Sequence, residues 1–159
     1  MRQETTENEL QQNIDMYEGL MSTIPVGIYR FRMKALGGWQ FDFVNSRFCE
    51  LTGLNREDVL NNYENAFRII HSDDFPVFIS LIESVEKNPV PFGWEGRIIV
   101  NGETRWVSLK SKPTVMDNRD IVWSGYFNDI TERKRAEKDL CESEERYSSL
   151  FSTIILFHS

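Results

Sequence analysis

The sequence predicts an α+β fold, one antiparallel sheet with helices on one face. Three observations lead there. Residues 28–34 and 39–44 alternate apolar and polar side chains on either side of Gly37-Gly38, the pattern of a hairpin. Residues 92–100, 104–112 and 120–128 are three further strand-like runs, separated by Asn101-Gly102 and Asp117-Asn118. Between these two groups lie segments whose apolar residues recur at helical spacing. The inserted helices must therefore bury their apolar faces on the sheet.

The elements follow in order. Residues 4–23 read as a helix with one apolar stripe, Leu10, Ile14, Tyr17, Leu20, Met21 and Ile24, ended by Pro25 and Gly27. The first hairpin comes next. Asn45 is a good N-cap for a short helix through Thr52, with Gly53 at its C-terminal end. Asn55, with Asp58 three positions on, starts a helix of about two turns. Residues 61–71 carry no clear period. Ser72-Asp73-Asp74 places acidic caps before a longer helix, in which Phe75, Phe78, Ile79, Ile82 and Val85 share a face; Lys87-Asn88-Pro89 stops it. Asn101-Gly102 is a strong turn signal, because both residues accept positive φ. From Thr131 onward the residues are good helix formers.

Composition narrows the function. The chain has 159 residues, enough for one domain with helical extensions. Its 25 acidic and 18 basic residues give a net charge of −7, which argues against a nucleic-acid binder. Cys49 and Cys141 form neither a disulfide framework nor a thiolate metal site, and suggest a reducing compartment. No apolar run approaches the length of a membrane span, and the polar N-terminus lacks a signal-peptide core, so a cytoplasmic module is expected. Neither a catalytic nor a metal site is expected. Only His71 and His158 occur, and His71 beside Asp73 and Asp74 reads as a turn and helix cap. Gly37-Gly38 is followed by Trp39, which is no phosphate loop.

A phrase recurs at the two ends. Residues 17–24 read Tyr-Glu-Gly-Leu-Met-Ser-Thr-Ile and residues 147–154 read Tyr-Ser-Ser-Leu-Phe-Ser-Thr-Ile. Each follows an acidic, helix-like stretch, as if one module ended near residue 145 and a second began.

Four phrases carry a family resemblance. The run Asp129-Ile130-Thr131-Glu132-Arg133-Lys134-Arg135-Ala136-Glu137 resembles the end of a PAS domain with its C-terminal PAC motif. Phe43-Val44-Asn45 with Phe48-Cys49-Glu50-Leu51-Thr52-Gly53 resembles that family's second strand and the helix after it. Ile70-His71-Ser72-Asp73-Asp74 is similar to a family segment that usually has Pro where Ser72 stands, and Asn101-Gly102-Glu103-Thr104-Arg105-Trp106-Val107 to its late hairpin. The resemblance covers residues 22–137. It implies a PAS fold, a five-stranded antiparallel sheet flanked by helices. It also implies an N-terminal flanking helix over 1–21, a PAS/PAC core over 22–131, an exit helix over 132–146, and the start of a truncated second repeat over 147–159.

The family often binds cofactors, so each is weighed on the residues. The light-sensing flavin relatives need a Cys within Asn-Cys-Arg-Phe-Leu-Gln, which is absent, and a Gln on the last strand where Phe127 stands after Gly125. Haem-binding relatives supply a His from the helix at 74–87, which has none. A photoadduct flavin and a haem are not expected; a non-covalent flavin, a small organic acid or an empty apolar core stay open. Alternation on the last strand makes Trp123, Gly125 and Phe127 the candidate wall of a pocket, facing Phe75, Phe78, Ile79 and Ile82. The preferred reading is that these aromatics fill the core.

The resemblance implies a sensory module of a multidomain prokaryotic signalling protein, with a sensor histidine kinase as parent. A module of a cyclic-dinucleotide synthase or phosphodiesterase, or a ligand-free spacer, are the alternatives. Asp129, Ile130, Thr131 and Glu132 would pass a core change to the exit helix, Asp129 and Glu132 as an N-terminal cap pair. Counted from Arg133, the heptad places Leu140, Tyr147 and Ile154 at a, and Ala136, Ser143, Leu150 and Phe157 at d. Apolar stripes on both flanking helices favour a homodimer. Adjacent PAS and output domains are the other expected partners, with no nucleic acid and no membrane insertion.

Overall fold

The computed structural model describes residues 7–13, 15–16 and 25–158, and only the backbone of 151–158. Residues 7–13 and 15–16 are helical (α1). The rest of the expected stripe, from Tyr17 to Ile24, and Ile14 lie outside the described residues, as does the first copy of the repeated phrase.

Strands β1 (Gly27–Met33) and β2 (Trp39–Val44) form the opening hairpin. Gly37 and Gly38 both have φ near +100°, and Lys34 N–H donates to the Gly38 carbonyl at 2.9 Å. Helices α2 (Ser46–Thr52), α3 (Arg56–Asn61), α4 (Glu64–Phe67) and α5 (Phe75–Lys87) follow. Then come β3 (Phe92–Val100), β4 (Glu103–Val115), β5 (Ile121–Asp129) and α6 (Thr131–His158). The five strands make one antiparallel sheet in the order β2-β1-β5-β4-β3. The chain divides into two units, Met1–Asp129 and Ile130–Ser159.

Local chemistry explains the joints. Asn45 is 3% exposed and its side-chain oxygen accepts from two backbone N–H groups, Phe48 and Ile28, each at 2.9 Å. One carboxamide thus caps α2 and ties it to the first residues of β1. Gly53, with φ +71°, closes α2 by donating its N–H to the Cys49 carbonyl. Asn55 caps α3 by accepting from Glu57 N–H at 2.9 Å. Asn101 and Gly102 both have positive φ in the turn from β3 to β4. The next turn extends through Arg119, at φ +70°, and Met116 N–H donates to the Asp120 carbonyl across it.

One cap differs from the expectation. Asp74 precedes α5, but its side chain makes no capping hydrogen bond. Its carboxylate instead accepts three bonds from Arg97 on β3, one from the backbone N–H at 2.8 Å and two from the guanidinium at 2.9 and 2.7 Å. A bidentate charged partner outcompetes the helix's own N–H groups. The Arg97 guanidinium holds the Asp74 carboxyl below the usual carboxylate range. His71 does sit in a turn. Its Nδ1 accepts from Asp73 N–H at 3.1 Å, and its own N–H donates to the Arg97 carbonyl at 2.9 Å.

The core lies between the inner face of the sheet and the helices. Ring contacts run through it in series: Phe41 to Phe31 at 5.0 Å, Phe31 to Phe67 at 5.9 Å, Phe67 to Phe78 at 5.2 Å and Phe78 to Trp94 at 4.8 Å. Such stacked, tilted and edge-on pairs stabilise the core beyond the area they bury. Asn45→Ala leaves the Ile28 and Phe48 N–H groups without that acceptor and should cost about 2–3 kcal/mol. Urea unfolding of the variant measures it; an unchanged midpoint would show that the carboxamide does not hold this joint.

Candidate functional site

The inner face of β1, β5 and β4, with α5 and the α4 region opposite, encloses a cavity of about 70 Å³. Four of the expected wall residues line it: Phe78 and Ile82 from α5, Trp123 and Phe127 from β5. Three do not line it. Phe75 and Ile79 are half-buried at the margin of the core, because they lie to one side of the α5 stripe that Phe78, Ile82 and Val85 occupy. Gly125 is on the inward register of β5 but offers no side chain to the cavity.

Residues not singled out from the sequence complete the wall. Tyr29, Phe31 and Met33 of β1 and Phe41 of β2 line it by the same alternation that placed Trp123 and Phe127. That alternation was visible in β1, and it was the available signal. Trp94 lies on the alternating buried face of β3, whereas the contributions of Phe48 and Phe67 depend on tertiary packing that no strand alternation reveals.

Every lining side chain is uncharged, and the hydroxyl-bearing ones are Tyr29, Thr52 and Ser111. Thr52 is spent on its own helix, donating to the Phe48 carbonyl at 2.8 Å. Burial pushes the Tyr29 hydroxyl up to about 12, against a smaller lowering by Ser111. The Trp123 indole N–H donates to Met33 Sδ at 3.3 Å. A carboxylate placed here would meet no cation, at a desolvation cost of several kcal/mol. Among the described residues no group of three or more His, Cys, Asp or Glu could hold a metal ion.

Gly125 is placed by a close approach of strands. It pairs with Tyr29 on one side and Ser111 on the other. A Cβ on Gly125 would stand 2.5 Å from Ser111 Cβ. Gly125→Ala must therefore push β4 away from β5, and should lose about 2–3 kcal/mol of stability by chemical unfolding; full stability would show that the strands have slack.

The second unit begins one residue past the sheet. Asp129 is the last residue of β5, paired with Val107. Ile130 accepts the first helical hydrogen bond, from Lys134 N–H at 2.9 Å. Thr131 opens α6 and Glu132 is the acid of its first turn. Ile130 stands between Asp129, where β5 pairing ends, and Thr131, the first residue of α6. Helix α6 continues without a break across the expected boundary at 146/147, and Leu140, Tyr147 and Leu150 on it are exposed. The heptad positions Ile154 and Phe157 lie outside the residues whose side chains are described.

Tyr29 also predicts an alkaline response. Its hydroxyl ionises near 10 when unfolded and near 12 when folded, so above pH 10 the unfolded chain releases a proton that the folded chain keeps. Stability should fall by about 2–3 kcal/mol between pH 10 and 12. In Tyr29→Phe this part of the slope should vanish, as urea unfolding at pH 9, 10.5 and 12 would show; an equal slope in both proteins refutes it.

Comparison with known proteins agrees with this architecture. A family model for the PAS fold matches residues 41–127. No curated protein matches the chain. Among solved structures, the N-terminal domain of a diguanylate cyclase with PAS/PAC sensor from Marinobacter aquaeolei is similar at TM-score 0.58 and 14% identity, over 68% of this chain and 98% of that one. A sensory box histidine kinase/response regulator from Burkholderia thailandensis gives 0.56 and 19%, over 77% and 91%. An RNA-binding light-oxygen-voltage receptor gives 0.67 and 20%, over 82% of this chain and 37% of that one. At these identities the structures speak for the fold. The family match spans more than half of the sequence, and the chain belongs to the PAS-fold family of sensor domains.

Proposed function

We propose that the chain is the sensory module of a multidomain signalling protein whose output domain is a histidine kinase. It would convert a change in its core into a movement of the exit helix. One observation carries this. Strand β5 supplies Trp123 and Phe127 to the cavity wall, and a single residue, Ile130, separates its last residue from the first of α6. A shift of β5 along its length has no loop in which to dissipate. Asp129, Ile130, Thr131 and Glu132 are the coupling segment on this reading. Exposed Leu10 and Met16 on α1, and Leu140, Tyr147 and Leu150 on α6, supply apolar surface for a homodimer through the flanking helices. Among the described residues no helix is long and apolar enough to cross a membrane. We place the module in the cytoplasm, beside further PAS and output domains of its own chain.

A solved PAS domain from a two-component sensor histidine kinase and the sensory box histidine kinase/response regulator support the kinase as parent. The diguanylate cyclase relative favours a second reading, a module of a cyclic-dinucleotide enzyme. Both keep the same coupling. Intact parent protein incubated with labelled ATP should form acid-labile phosphohistidine. Conversion of GTP to a cyclic dinucleotide would establish the second reading, and neither activity would leave a spacer. Trp123→Phe should change the measured output several-fold. Adding Asp129→Ala should shrink that change about five- to tenfold; an undiminished change would remove Asp129 from the relay.

A further inference from the structure

The strands carry their cations in two ways. Arg32, Arg97 and Arg105 each meet a carboxylate, at 2.7, 2.7 and 3.7 Å. The other three, Arg30 on β1 with Lys110 and Lys112 on β4, are exposed and make no ion pair with a described residue. These three are neighbours. Ser124 of β5 pairs with Arg30 on one side and Lys112 on the other, and Tyr126 pairs with Ile28 and Lys110. Both rows lie on the outer face of the sheet, by the alternation that turns Trp123 and Phe127 toward the cavity. Ser124 and Tyr126 are exposed, and their hydroxyls make no hydrogen bond with a described residue. The adjoining row holds Arg32, whose charge is met by Asp42 and Asp120.

Like charges side by side on a sheet repel. Although the chain has 25 acidic residues to 18 basic ones, it leaves these three without a counter-charge. We propose that this block of the outer sheet face binds a chain of phosphates, held by Arg30, Lys110 and Lys112, with the Ser124 and Tyr126 hydroxyls donating from the sheet. Spacing favours a chain over a single oxyanion. Arg30 and Lys112 stand on strands two apart, about 9.5 Å, and Lys110 is two residues from Lys112, about 7 Å. One phosphate would have to draw all three side chains together against their repulsion, whereas successive phosphates meet each in place. Charge-assisted bonds from guanidinium and ammonium groups are the strong contacts available to phosphate oxygens. The Tyr126 ring, 41% exposed beside Lys110, offers a surface on which a base can stack, so inorganic tripolyphosphate and a nucleoside triphosphate share this chemistry. Both hydroxyls belong to β5, so occupancy of the outer face bears on the strand that leads into α6. That consequence rests on the sensory reading above; binding itself does not.

The 159-residue chain is titrated by calorimetry with tripolyphosphate, ATP and orthophosphate at matched ionic strength and without divalent cations. The Ser124 and Tyr126 amides are followed by NMR. Tripolyphosphate should bind saturably and shift both amides, and orthophosphate should bind at least about tenfold more weakly. Arg30→Gln and Lys112→Gln should each weaken tripolyphosphate about five- to tenfold, the factor of one charge-assisted contact at an exposed site. Ser124→Asp, which sets a carboxylate among the cations, should abolish binding. Lys87→Gln combined with Lys138→Gln, exposed cations outside the sheet, should leave it within about twofold. ATP binding tighter than tripolyphosphate, with the excess lost in Tyr126→Ala, makes the source a nucleotide; without that excess it is the inorganic chain. Orthophosphate binding as well as tripolyphosphate, or a loss in the control variant as large as in Arg30→Gln, overturns the proposal. So does a dimer of the chain that covers the two amides and shuts tripolyphosphate out, since the face then belongs to a second copy. If Ser124→Asp does not fold, the two Gln variants still decide. No binding with phosphohistidine formation intact in the parent sinks this site alone; the reverse sinks only the kinase reading.

Discussion

Strand β5 is hydrogen-bonded along both edges, to β1 over Ile121–Phe127 and to β4 over Ile121–Asp129. No other strand of the sheet is both paired on two sides and joined directly to the exit helix. The close approach of β4 at Gly125 fixes its register, since a side chain there would collide with Ser111. Its inward residues then determine what the core can hold. Trp123 and Phe127 fill two positions, and Gly125 between them carries no side chain.

Polar ties at the margin hold the frame around this apolar centre. Arg32 on β1 pairs with Asp42 on β2 at 2.7 Å and with Asp120 before β5 at 3.0 Å, and Asp120 also accepts from Ala35 N–H at 2.8 Å. The first hairpin is thereby fastened to the turn that leads into β5. At the opposite edge Asp74 and Arg97 fasten the start of α5 to β3. These groups are partly exposed, so salt screens them and each is worth less than its distance suggests. Their value lies in geometry: they fix where the sheet's ends sit while leaving the middle free to respond.

Much of this architecture was legible because it is local. Asn45, Gly53, Asn55 and Asn101-Gly102 do in the structure what their side chains and φ preferences announce. The paired strand alternations gave the sheet. Asp74 misled because a carboxylate before a helix is an ordinary cap, and its better partner lies 23 residues away on β3. Only part of the cavity wall was legible, for a related reason. Alternation on β5 found Trp123 and Phe127, and a helical face found Phe78 and Ile82, but a single stripe cannot distinguish its centre from its flanks, where Phe75 and Ile79 stand. Tyr29 and Ser111, 82 residues apart in sequence, come to line one cavity only once the strands are ordered.

Helix α6 is unbroken over its 28 residues. At 1.5 Å per residue it is a rod about 42 Å long. Each inserted or deleted residue turns its far end by roughly 100°, whereas seven together return it to within about 20° of its starting azimuth. Length changes in this segment should thus be tolerated in steps of seven. Steps of two, or of five, would point the far end nearly backwards, so the rod's phase becomes a heritable quantity separate from anything its side chains touch.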